Sequence, residues 1–312
     1  MLGRPLQSAC PFQELVMNPS ININHDRAEE LAAHLANRAT EALLDEARLT
    51  PKPGLVDRRG SGAHKDMNLA MLETSAECLT PTFIAMAHAG WRRVPDAALR
   101  RQIGAIGREG EKTMLATTGG VNTHRGAIWS LGLLVTAFAM HEGQSGIVQT
   151  VSSAARLASL PDTACPPVFS KGRYASHRYK VPGAREEAQQ GFPHVMKLAL
   201  PQLAKSRREG ASEDAARIDA LLAIMTSLPD TCVLSRGGIK ALTDMRSGAR
   251  AILVQGGIGS HEGRKTYDIL EAGMMKANVS PGGAADLLAA TLFLDGMEHT
   301  AIVQGGKRNG TH

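Results

Sequence analysis

Aromatic side chains are scarce, at 4% of 312 residues. Strands favour aromatic and β-branched residues, and stretches alternating apolar with polar are almost missing here. The best strand candidate, AILVQGGI at 251–258, reads better as a helix end followed by a glycine turn. Together these absences exclude a β-sandwich. The four cysteines, Cys10, Cys78, Cys165 and Cys232, include no C-x-x-C pair. That excludes a zinc ribbon, and in so long a chain it suits reduced thiols of a cytoplasmic protein. No apolar run approaches the roughly 18 residues of a membrane span, and the N-terminus lacks the charged-then-apolar pattern of an export signal. There is no Walker A loop, and no G-x-G-x-x-G follows a predicted strand, which excludes P-loop and Rossmann nucleotide folds. The basic residues form no extended stripe with interleaved aromatics, which argues against nucleic acid as a partner.

What is present is helical. Apolar residues make up 43% of the chain, and the net charge of +5 suits a protein that handles anions. Leu31, Leu35, Ala39, Leu43 and Ala47 recur at helical spacing over 27–49, with Asp26 placed as N-cap and Pro51 and Pro53 as the stop. Similar patterns predict helices over 66–90, 96–117, 123–141, 145–160, 211–228, 237–254, 263–277 and 282–297. No repeat and no domain boundary is visible. The expectation is an all-α fold with a loose lead-in over 1–25, one helical domain over 26–300 and a tail over 301–312. Residues 161–183, rich in proline and carrying a basic patch at 170–180, form the longest irregular stretch. A stretch of that length is either a functional loop or a plain connector.

Three polar clusters stand out. In LTPKPGLVDRRGSGAHKDMN (49–68), glycines let the backbone turn around Lys52, Asp57, His64 and Asp66. Asp57 and Asp66 are hard oxygen ligands of the kind Mg²⁺ takes beside substrate phosphates. The alternative is a surface loop whose Asp66 caps the next helix. In GGVNTHRGAIWSLG (119–132), Asn122 is a natural N-cap, and Thr123, His124 and Arg125 crowd the mouth of an apolar helix. A helix N-terminus attracts phosphate, whereas cations there oppose the dipole unless an anion joins them. The alternative is an ordinary cap with solvated side chains. In NVSPGGAADLL (278–288), Ser280 as N-cap and Pro281 start another helix, with Gly282 and Gly283 leaving its N–H groups bare and Asp286 one turn in.

These clusters, in this order, resemble the triphosphoribosyl-dephospho-coenzyme-A synthase family. The matching strings are LTPKPGLVDRRGSGAHKDM (49–67), GEKTMLATTGGVNTHRGAIWSLG (110–132), GAREEAQQGFPHV (183–195), VLSRGG (233–238) and VSPGGAADLLAATLFL (279–294). The resemblance implies an all-helical enzyme in which the 2′-hydroxyl of 3′-dephospho-CoA displaces adenine from ATP. The product would be the precursor of a prosthetic group, passed to a separate transferase acting on an acyl carrier subunit. Malonate decarboxylase is the expected system and citrate lyase the alternative.

The chemistry then assigns candidates. Lys52, Asn122, Thr123, His124, Arg125, Arg236, Ser280, Gly282 and Gly283 suit the substrate and its phosphates. Asp57, Asp66, Glu111 and Asp286 are candidate Mg²⁺ ligands, with Asp57, His64 and Asp286 the candidate catalytic acids or bases. Two other readings are a Mg²⁺-dependent nucleotide hydrolase and a non-catalytic nucleotide sensor.

Overall fold

The structure is a computed structural model. It describes the backbone of residues 19–165 and 170–308, and side chains over 25–165 and 170–298. Among these residues there is no strand, and the fold is all-α. Helix α5 (Arg125–Met140) runs through the middle. Every residue from Ser130 to Met140 is buried, as expected of a helix that is apolar all round. Around it pack α1 (Pro19–Arg48), α3 (Thr80–Gly90), α4 (Ala97–Thr117), α6 (Ile147–Ser159) and α13 (Gly282–Arg308). Small residues bring the backbones close. A Cβ on Gly90 would lie 2.5 Å from the Thr136 carbonyl, and one on Gly132 would lie 2.5 Å from Met86 Sδ. Phe138 meets Phe293 of α13 edge to face at 5.7 Å.

Several boundaries differ from the sequence expectation. Helix α1 begins at Pro19, so Asp26 lies inside it rather than capping it. Proline is well tolerated in a first turn, and nothing between it and Asp26 breaks a helix. Residues 1–18 of the expected lead-in lie outside the described residues. Helix α13 extends to Arg308, through part of the expected tail. The single helix expected over 66–90 divides into α2 (Leu69–Cys78) and α3. Pro81 has no N–H with which to continue the ladder, and Thr80 Oγ1 donates to the Glu77 carbonyl instead, at 3.0 Å.

The stretch 161–183 is not wholly irregular. It contains α7 (Lys171–Tyr179), capped by Ser170. That helix buries only Ala175 and so has no apolar stripe to announce it. Also missed were α8 (Ala184–Gln189), a π-helical turn (Val195–Ala199) and α9 (Leu200–Arg208). The remaining helices are α10 (Glu213–Met225), α11 (Thr231–Val254) and α12 (His261–Lys276). Helix α11 starts six residues earlier than the pattern over 237–254 indicated, and it kinks at Gly238, whose φ is 67°.

Candidate active site

The loop between α1 and α2 is built around two buried charges. Lys52 is 1% exposed, and its Nζ donates to the Glu46 carbonyl at 2.5 Å and to Glu46 Oε1 at 2.7 Å. Asp57 accepts from Lys52 N at 2.9 Å, Arg59 N at 2.8 Å and Arg59 Nη2 at 2.8 Å. Arg59 reaches on to Glu271 of α12. Burial alone would raise the Asp57 pKa, but the Arg59 side chain and the two N–H groups outweigh it and hold the carboxyl below its ordinary value. Lys52 and Asp57 thus take a structural role that the sequence did not announce: their polar atoms hold the loop's shape. Nearby, Arg236 donates to His64 Nδ1 and to the Ala63 carbonyl, both at 3.2 Å. Burial, then the Arg236 charge, lowers the His64 pKa. Asp66 is largely exposed, 3.6 Å from His64 Nδ1. It is Asn68, not Asp66, that caps α2.

At the mouth of α5, Asn122 Oδ1 accepts from Arg125 N at 3.2 Å, while His124 occupies the cap position itself. Ser75 of α2 meets Thr123 Oγ1 at 2.6 Å and His124 Nδ1 at 2.9 Å. His124 is 4% exposed, and its Nε2 has no hydrogen-bond partner among the described residues. Burial, then the Lys52 charge, pushes its pKa down to about 4, so the imidazole is neutral at pH 7. Arg125 is already paired, its Nε donating to Glu111 Oε2 of α4 at 2.9 Å.

Asp286 of α13 closes on the same helix end. Its carboxyl accepts from Ala127 N, and a Cβ on Gly126 would overlap its Oδ2. Desolvation, then the charges of Glu46 and Asp230, hold Asp286 well above the ordinary carboxylate range. Asp286 stays partly accessible although protein surrounds it.

The start of α13 corrects a second expectation. Ser280 does not cap it, and its Oγ is buried without a partner among the described residues. The cap is Asp230, invisible as such in the sequence. Its Oδ2 accepts from Ala284 N at 2.9 Å, while its Oδ1 accepts from Cys232 N at 2.8 Å to cap α11. Gly283 leaves room for that carboxylate, since a Cβ there would lie 3.1 Å from Asp230 Oδ2, and a Cβ on Gly282 would lie 3.1 Å from Cys232 Sγ. Both helix starts expected to cradle phosphate are thus already met by protein carboxyl or amide oxygens.

The expected Mg²⁺ ligands do not assemble. Asp57 is bonded to Arg59, Glu111 to Arg125, Asp66 is exposed and burial raises the Asp286 pKa. Among the described residues no group of three or more His, Cys, Asp or Glu side chains is placed to hold a metal. Mg²⁺ bound beside substrate phosphates takes only one or two carboxylates from a protein, so these four stay candidates for such a site rather than parts of an all-protein cage.

A carboxyl whose pKa burial raises well above the ordinary range, a buried imidazole with an unpartnered nitrogen and nearby guanidinium groups are candidates for acid–base chemistry. The chain belongs to the CitG family of ATP:dephospho-CoA triphosphoribosyl transferases, whose model matches residues 32–304, and is a transferase. It is 58% identical over 274 residues to the 2-(5''-triphosphoribosyl)-3'-dephosphocoenzyme-A synthase of Klebsiella pneumoniae, covering 88% of this chain and 98% of that protein. A protein of Azotobacter vinelandii, named a probable synthase of the same kind, is 56% identical over 86% of this chain and 92% of its own length. One from Stutzerimonas stutzeri, also named probable, is 56% identical over 86% of this chain and 93% of its own.

Proposed function

We propose that the chain transfers the 5-triphosphoribosyl group of ATP to the 2′-hydroxyl of 3′-dephospho-CoA and releases adenine. The bond from C1′ to adenine breaks, a bond from the acceptor oxygen to C1′ forms, the hydroxyl loses a proton and adenine gains one. Asp286 carries the reading. A carboxyl whose pKa is raised well above the ordinary carboxylate range is suited to donate to a ring nitrogen of the departing base. His124 Nε2 is the free acceptor for the incoming hydroxyl. Its low pKa makes it a weak base in the free protein, and a bound polyanion would raise it. Family membership and the synthases matched over almost their whole length support the same reaction.

The particular system we assign is malonate decarboxylase, on the likeness to the stand-alone synthase of that system; citrate lyase is the alternative. The product would pass to a separate transferase acting on an acyl carrier subunit, in the cytoplasm. Among the described residues no helix is long and apolar enough to cross a membrane.

Incubation with ATP, with and without 3′-dephospho-CoA, tests the reaction. Adenine should appear only when the acceptor is present. Adenine or phosphate released without acceptor would make the chain a hydrolase, and no turnover with either would make it a sensor. Product supplied to each apo acyl carrier with its transferase then separates the two systems.

Arg125 offers a second check. Its ion pair with Glu111 is about one-third exposed on both sides, so it stabilises the free protein by roughly 0–1 kcal/mol at most. Arg125→Ala should leave the ligand-free melting temperature nearly unchanged. It should also remove most of the rise that ATP produces by binding the folded state. A variant that keeps the full ATP-dependent rise would remove Arg125 from the substrate site.

A further inference from the structure

Beside the acid–base centre, the groove between α4 and α5 collects guanidinium groups that the proton transfers do not use. Arg100, Gly104, Arg108 and Glu111 succeed one another on one face of α4, and Arg125 and Trp129 on one face of α5. Arg125 is bonded to Glu111 and adjoins Gly126, on which Asp286 packs. One turn back along α4, Arg108 Nη1 donates to Asp162 Oδ2 at 2.7 Å, and further back Arg100 Nη1 donates to the same oxygen at 3.5 Å.

The far end of this row has the form of an anion seat. Asp162 lies over Gly104, where a Cβ would overlap its Oδ2 and sit 2.9 Å from Arg100 Nη1. The Arg100 side chain is only 10% exposed. Its Nε has no hydrogen-bond partner among the described residues. Its guanidinium stands 5.1 Å from the centre of the Trp129 ring, whose Nε1 is tied to the Ala184 carbonyl at 3.1 Å. Burial, together with the charges of Arg185 and Arg108, depresses the Arg100 pKa against the pull of Asp162. Two guanidinium groups therefore share one carboxylate, and a third, that of Arg185, bears on Arg100. A buried, unpartnered Arg nitrogen and uncompensated positive charge are costly unless an anion shares the site.

We propose that this groove binds the polyphosphate chain of the ribosyl donor, with Arg125, Arg108 and Arg100 as successive cations and Asp162 as the resident carboxylate that phosphate oxygens displace from the niche over Gly104. This rests on the reaction proposed above. The reacting ribose lies at Asp286 and His124, and the phosphates extend away from it along α4. The guanidinium forks suit phosphate oxygens in paired hydrogen bonds. The diphosphate of the acceptor offers related chemistry, so the test must tell the two substrates apart.

Inorganic tripolyphosphate is the first probe. It should raise the melting temperature of the full chain, and Arg108→Gln should abolish most of that rise. A charge-assisted hydrogen bond is worth roughly 1.5–3 kcal/mol, so the KM for ATP should increase about ten- to a hundredfold in this variant. The kcat and the KM for 3′-dephospho-CoA should stay within about threefold. Asp162→Asn, which keeps the side chain's shape, should tighten tripolyphosphate binding several-fold by removing the competing charge. An unchanged ATP KM with a full tripolyphosphate shift in Arg108→Gln would overturn the proposal. So would weaker tripolyphosphate binding in Asp162→Asn, or a rise confined to the KM for 3′-dephospho-CoA. If the chain transfers nothing from ATP to the acceptor, the reaction proposed above fails, while the tripolyphosphate shift and its loss in Arg108→Gln still report on the groove.

Discussion

Lys52→Met should destabilise the protein by about 3–5 kcal/mol, because it leaves the buried Glu46 carboxylate without its counter-charge. The two side chains are 1% and 8% exposed, and the ion pair is 2.7 Å long. The ammonium also satisfies the Glu46 carbonyl in the last turn of α1. At the helix end such carbonyls lack an intrahelical partner. Both losses fall on the loop that carries Asp57 and His64, so the damage should spread to the site. Urea denaturation at pH 7 measures the effect, and the melting temperature should drop on the order of ten degrees. The double variant Lys52→Met/Glu46→Leu should recover most of the loss, since replacing both partners of a buried pair by apolar groups is often close to neutral. A single variant within about 1 kcal/mol of the parent would mean that Lys52 is not the buried keystone its geometry describes.

The structural role of Lys52 shows what the sequence carries and what it leaves out. The helices over 97–117, 125–140 and 147–159 were legible to within two residues at each end, because apolar spacing and Gly or Pro punctuation are local signals. Helix α7 was not, because it buries one alanine and is otherwise polar. The candidate site residues were named by type, but their bonding partners were hidden. Asp230 caps α11 ahead of the 237–254 pattern, and another amide that it holds, on Ala284, is 54 residues further on. Asp286 meets the N-terminus of α5, 160 residues earlier in the chain. Periodicity reports which face of a helix is apolar. It does not report which carboxylate reaches which amide. Ser75, Arg108 and Asp162 were missed for the same reason, since each gains its meaning from a residue distant in sequence, and Glu46 was missed although its partner Lys52 is only six residues on.

Asp286→Asn should cut turnover by about 10²–10⁴-fold, the range of general acid–base catalysis, and at the same time make the protein more stable at pH 7. Asparagine keeps the shape and an acceptor for Ala127 N, but it has no proton to give and no charge to bury. The stability gain follows from the raised pKa. In the unfolded chain an aspartate ionises near roughly pH 3.9, whereas in the folded protein desolvation, Glu46 and Asp230 make Asp286 keep its proton to higher pH. Between those two values the unfolded chain gains by ionising and the folded one does not, so the parent loses stability as pH rises through that window. Above the folded pKa the deficit is constant. The difference between variant and parent should therefore be near zero around pH 4, grow as pH rises, and level off. His124, neutral down to about pH 4 in the fold, has the opposite dependence. Its contribution is fully present above the ordinary histidine value and is lost as pH falls toward 4. It is common to both proteins and cancels in the difference. Adenine-release kinetics and melting curves from pH 4 to 8 read both effects. A variant that loses activity but shows no pH-dependent stability gain would leave Asp286 as a positioning group rather than the proton donor. Full activity would remove it from the mechanism.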